Sequence, residues 1–123
     1  MIRIFVADAY SDLRVALRLL ARELGMQVVG EADTWAMATA TAAETRPDTL
    51  LVNWDLIPSG DGASLADVRA TCPPGVVIVL LSRLDVRRQA ALAAGADEFL
   101  SMRETPDRGA DRLRAAATRS RAS

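Results

Sequence analysis

The feature that most constrains this chain is the run Val76-Val77-Ile78-Val79-Leu80-Leu81, apolar, mostly β-branched and without polar alternation. A strand with one wet face alternates apolar and polar residues. An unbroken run suits a strand covered on both faces, which calls for a parallel sheet with helices packed above and below it. Leu50-Leu51-Val52 is a shorter run of the same kind. Strands are predicted at Ile2–Ala7, Gln27–Ala32, Thr49–Asn53, Val76–Leu81 and Asp97–Ser101, and the helical stretches between them make repeated βα units.

After the first strand, Leu13, Leu17, Leu20 and Leu24 recur at helical spacing, behind Ser11 or Asp12 as cap and ahead of Gly25 as terminator. A second helix is predicted from about Thr34 to Thr45 after Asp33, a third from about Ala63 to Ala70, and a fourth from about Asp85 to Ala94 with Gly95 beyond it. The fifth begins at Thr105-Pro106, a cap followed by proline in the first turn. It carries Gly109 inside and only Leu113 as a large apolar anchor, so thin packing or completion by a partner is expected. Residues 117–123, all alanine, threonine, arginine and serine, read as a frayed end.

With 123 residues and a net charge of −1, one domain spanning 1–123 is expected, with no polyanion-binding surface and hence no nucleic-acid partner. No apolar run is long enough for a membrane span, and the start of the chain lacks the layout of a signal peptide, so a cytoplasmic protein without a membrane partner is expected. Cys72 is the single cysteine, and histidine is absent. Structural zinc sets and Ser-His or Cys-His nucleophile pairs are thereby excluded. Every one of the 15 basic residues is arginine, so no lysine can serve as Schiff base or phosphate-binding ammonium. An enzyme is not expected. The turn Asp8-Ala9-Tyr10-Ser11 also lacks the glycines that bring backbone close to a dinucleotide pyrophosphate.

In a doubly wound sheet the functional crevice lies at the carboxyl ends of the strands. Those ends deliver Asp8, Asn53 with Asp55, Ser82 and Met102. Taken with their surroundings, they resemble the receiver domain of bacterial two-component response regulators, over essentially the whole chain. Val6-Ala7-Asp8-Ala9 is similar to the first-strand acidic pair, and Pro47 to Trp54 to the strand ending in the phosphoacceptor. Pro58-Ser59-Gly60-Asp61-Gly62 is similar to the turn that follows. Leu80-Leu81-Ser82 resembles the strand ending in Ser or Thr, and Ala94 to Met102 resembles the Ala-Gly-Ala lead into the fifth strand and its lysine.

The resemblance implies a flavodoxin-like (βα)5 fold with five parallel strands in the order 2-1-3-4-5. It also implies a site in which magnesium and a lysine neutralise a phosphoryl group attacked by an aspartate. Several seats of that site hold the wrong chemistry here. Asn53 occupies the acceptor position with a neutral amide, Ala9 replaces the second acid, and Met102 stands where the lysine is expected. Asp8 and Asp55 remain as an acidic remnant and as the weak candidates for metal, and Ser82 with Phe99 occupies the switch positions. No cofactor is expected, with magnesium binding weak or absent.

The expected function is that of an atypical receiver acting in signal transduction by phosphorylation-independent protein binding or dimerisation; the alternative is a receiver that accepts phosphate at a non-standard site such as Asp55. The resemblance implies a histidine kinase or output protein as partner, and a homodimer through the fourth helix, fifth strand and fifth helix. Arg83, Arg87 and Arg88 lie there beside Asp97, Glu98 and Glu104. Trp54, next to the acceptor position, and Trp35 are candidates for partner anchors or for ordinary packing.

Overall fold

The computed structural model describes residues 2–56, 77–82, 97–101, 111 and 113–115. Its strands are β1 (Arg3–Ala7), β2 (Gln27–Ala32), β3 (Thr49–Asn53), β4 (Val77–Ser82) and β5 (Glu98–Ser101). They form one five-stranded sheet in the order β2-β1-β3-β4-β5, and every neighbouring pair is parallel. This is the expected fold. β2 and β3 keep their predicted bounds, β1 and β5 start one residue later, and β4 is displaced by one residue at both ends.

The sequence runs account for where each strand sits. All five residues of the central strand β3 are buried, as are Ile4 to Ala7 of β1 and Ile78 and Val79 of β4. Successive side chains of a strand point to opposite faces. Ile4, Val6, Leu51, Val79 and Leu100 accordingly share one core with Leu17 and Ala21 of helix α1 (Ser11–Glu23), with Met26, and with Leu113 of the C-terminal helical segment. Leu113, the one large anchor expected of the last helix, is fully buried. Phe5 faces the other way, towards helix α2 (Trp35–Thr45), whose Ala38 and Ala42 are buried. Gly30 of β2 has no side chain because Phe5 fills the space: a Cβ there would lie 2.7 Å from the ring.

The helix ends follow local chemistry, with one correction. The N-cap of α1 is Tyr10, with no side-chain cap bond, so neither Ser11 nor Asp12 caps the helix; both lie inside its first turn. The cap of α2 is Thr34, whose hydroxyl oxygen accepts from the Met37 N–H at 3.1 Å. Gly25 ends the α1 turn at φ 74, and Arg46 takes a left-handed φ of 49 after α2, ahead of Pro47.

At the amino ends of the strands two aspartates repeat one device. The Asp48 carboxylate accepts from the Arg3 N–H at 2.8 Å while the Asp48 N–H donates to the Arg3 carbonyl at 2.8 Å. Asp97 does the same with Ile78, at 2.8 and 2.9 Å. Each clamps the start of one strand to its neighbour.

The predicted third and fourth helices, the start of the fifth, residues 117–123, Cys72, Arg83, Arg87, Arg88, Met102 and Glu104 lie outside the described residues. Among the described residues, no helix is long and apolar enough to cross a membrane.

Candidate functional site

Sheet register decides which strand-end residues can meet. Ala7 of β1 lies opposite Val52 of β3, so the next residues, Asp8 and Asn53, emerge side by side at the carboxyl edge. Both are buried, with relative exposures of 0% and 5%. The Asn53 amide, Nδ2, donates to Asp8 Oδ2 at 3.0 Å, a contact between residues 45 apart in the chain.

The remaining polar atoms of this pair are also engaged. Asp8 Oδ1 accepts from the Tyr10 N–H at 2.8 Å, which fixes the turn into α1. Asn53 Oδ1 accepts from the Asp55 N–H at 2.9 Å, which shapes the single 3-10 turn Trp54–Leu56. On the main chain, the Asp8 N–H donates to the Ala32 carbonyl at 3.0 Å, and Arg14 donates to the Asp8 carbonyl at 2.6 Å. Asp8 is a buried carboxylate surrounded by donors, as burial of such a group requires.

The other candidate residues fall around this pair. Ala9 is exposed in the turn and offers no ligand, and Asp55 is exposed in the 3-10 turn. Ser82 ends β4, one residue beyond the Leu81 that pairs with Asn53, and pairs with Ser101 of β5; Phe99 pairs with Leu80. The strand order thus brings Asp8, Asn53 and Ser82 to the carboxyl ends of three adjacent strands.

One polar cluster at the rim was not foreseen. Glu31 of β2 receives Arg18 at 3.0 Å and Arg14 at 3.8 Å, fastening α1 to the edge of the sheet. Its sequence signal is faint: two arginines at i, i+4 on α1, and one acid in a strand otherwise free of charge. Glu31 and Arg14 also line an open groove of about 310 Å³ with Ala32, Asp33 and Met37.

The residues present do not fit the magnesium that the resemblance implies. That ion takes an octahedral shell of oxygens with free lone pairs and carboxylate charge. Here Asp8 is the one buried carboxylate among the described residues, Asn53 beside it is neutral and turns its amide N–H towards Asp8, and Ala9 adds nothing. Among the described residues there is no group of three His, Cys, Asp or Glu side chains able to hold a metal.

Fold and crevice together define a flavodoxin-like α/β domain whose polar site opens at the carboxyl ends of β1 and β3. No family model matches the sequence. Among solved structures, the chain is similar to the signal receiver domain of the response regulator NarL from Mycobacterium tuberculosis. The identity is 30% and the TM-score 0.79, covering 95% of this chain and 96% of that one. A two-component response regulator of the LuxR family from Aurantimonas sp. SI85-9A1 shares the fold, with TM-score 0.82 and 22% identity over 96% of this chain and 86% of that one. A Pseudomonas aeruginosa protein named as a transcriptional regulator is 31% identical over 106 residues, 85% of this chain and 51% of that protein. The chain spans about half the length of that relative. It belongs to the receiver-domain family of two-component response regulators.

Proposed function

We propose that this receiver domain signals without carrying an aspartyl phosphate, by binding a protein partner. The observation that carries the reading is the buried hydrogen bond from the Asn53 amide to Asp8. The lone pair of an amide nitrogen is delocalised and does not attack phosphorus, and a neutral amide in that seat withholds the negative charge that a divalent ion would need. Loss of nucleophile, metal ligand and cation removes terms that each count for several kcal/mol in phosphoryl transfer. The conformation is then set by sequence and partner. Its partner is a cytoplasmic histidine kinase or output protein.

Incubation with acetyl phosphate and magnesium, followed by intact-mass and peptide mass analysis, tests this directly. The expected result is an unchanged mass, together with no response of tryptophan fluorescence to magnesium and beryllofluoride. A phosphoryl mass gain on Asp55, the residue best placed for a non-standard acceptor, would replace this reading with that of an atypical phosphoaccepting receiver.

A further inference from the structure

Two short turns border the crevice: the one that leads from β1 into α1, and the 3-10 turn Trp54–Leu56 that follows β3. Each holds a local hydrogen bond of its own. The Tyr10 N–H donates to Asp8 Oδ1 at 2.8 Å, and the Asp55 N–H donates to Asn53 Oδ1 at 2.9 Å. Side chains of this type commonly bond backbone two residues on, and such a bond ties nothing to a distant segment. The third bond, from Asn53 Nδ2 to Asp8 Oδ2 at 3.0 Å, joins the two turns. The result is one buried relay that runs from the Tyr10 N–H through Asp8 and Asn53 to the Asp55 N–H.

The relay fixes which way the amide faces. Only its oxygen can accept from Asp55, and only its nitrogen can donate to Asp8. Turned over, the amide would set oxygen against a carboxylate oxygen and N–H against N–H, replacing two bonds by two repulsions in a site shielded from water. Arg14 supports the same arrangement, since it reaches from α1 to the Asp8 carbonyl at 2.6 Å and brings a cation to that turn in a chain without lysine.

We propose that the Asn53 side chain is a built-in strut standing where the resemblance implies a divalent ion: it locks the two crevice turns together, so they open as one unit and do not respond to magnesium. An ion seated at Asp8 would call for an oxygen from position 53, and the locked amide presents N–H there. For its place in signalling this rests on the reading of a receiver without phosphoryl chemistry, and it adds the regulation of that site. The crevice is set once, on folding, and whatever displaces one turn displaces the other.

Amide hydrogen exchange of the whole chain, followed by NMR, reads each bond at its donor, with Leu51 in buried β3 reporting global unfolding. The expected result is slow exchange at Tyr10 and Asp55, equal in excess chelator and in millimolar magnesium. Asp8→Ala removes the acceptor of Tyr10 directly; through the strut it also speeds exchange at Asp55 at least about tenfold, although the Asp55 bond is untouched. Asn53→Ala frees Asp55 directly and speeds exchange at Tyr10 by a similar factor. Asp8→Ala removes the buried charge along with the side chain, so it decides the question if Asn53→Ala, which strips that charge of a donor, fails to fold.

Faster exchange confined to the substituted turn reveals two independent local turns and overturns the proposal, as does any change at either amide on adding magnesium. Acetyl phosphate labelling decides the phosphorylation reading separately. An unlabelled protein with uncoupled turns sinks the strut alone, whereas a label on Asp55 with coupled turns sinks that reading alone.

Discussion

Replacing Asn53 by aspartate probes whether the Asn53 amide balances the buried carboxylate of Asp8. The substitution removes a donor 3.0 Å from Asp8 Oδ2 and sets an acidic oxygen in its place, in a site where both residues are buried. Two full charges at that separation repel by about 5 kcal/mol at an effective dielectric constant of about 20. The pair escapes this by sharing one proton, as close carboxylates do. Holding a proton at pH 7 costs an ordinary carboxyl about 4 kcal/mol, and the O–H···O bond so formed replaces the N–H···O bond that was lost. Asn53→Asp is therefore expected to lower the unfolding free energy by about 3–4 kcal/mol at pH 7.

The sign of the pH dependence follows from the extra proton. The folded variant holds it and the unfolded chain does not, so stability falls as pH rises above the ordinary carboxyl range, and the deficit shrinks by about 1.4 kcal/mol per unit from pH 7 towards pH 5. Urea unfolding of both proteins, followed by far-ultraviolet circular dichroism at several pH values, measures this. A variant as stable as the parent at pH 7, or a deficit that stays constant between pH 7 and 5, refutes the view that the amide offsets a buried carboxylate charge.

Other substitutions test the scaffold. Gly30→Ala pushes a methyl group to 2.7 and 2.8 Å from Phe5 ring atoms, and a loss of about 1–3 kcal/mol is expected in chemical denaturation. Thr49→Val replaces a buried hydroxyl that has no hydrogen-bond partner among the described residues, so it should be neutral or raise the melting temperature, with a gain of up to about 1 kcal/mol. Asp48→Ala leaves the Arg3 N–H without its side-chain acceptor and should cost about 1–2 kcal/mol; Asp97→Ala should cost a similar amount at Ile78, and hydrogen exchange should show faster amide loss at those two residues first.

Much of the architecture could be read before any coordinates because burial on both faces writes itself into the sequence. Leu50 to Val52 and the run ending at Leu81 are unbroken for that reason, and β3 and β4 lie where those runs are. Helix starts were harder to place. Ser11 and Asp12 are good capping residues by type, yet the polar group that orders the turn is the carboxylate of Asp8, which accepts from Tyr10, outside the window a capping rule inspects. The Asn53–Asp8 bond joins residues 45 positions apart and follows only from the pairing of β1 with β3. No local pattern encodes it, and the resemblance brought the two residues together before the register did. The aspartate clamps were missed although each sits one residue before a strand, because an acid there also reads as an ordinary loop residue. The Glu31 cluster depends on how α1 lies across β2, which no single segment determines.

Those clamps lie on the rim of the sheet opposite the crevice. Stitching at the amino rim ties β1 to the start of β3 and β4 to the start of β5 through contacts that involve neither Asp8 nor Asn53. A change of residue type at the crevice therefore leaves both of those register-setting contacts in place.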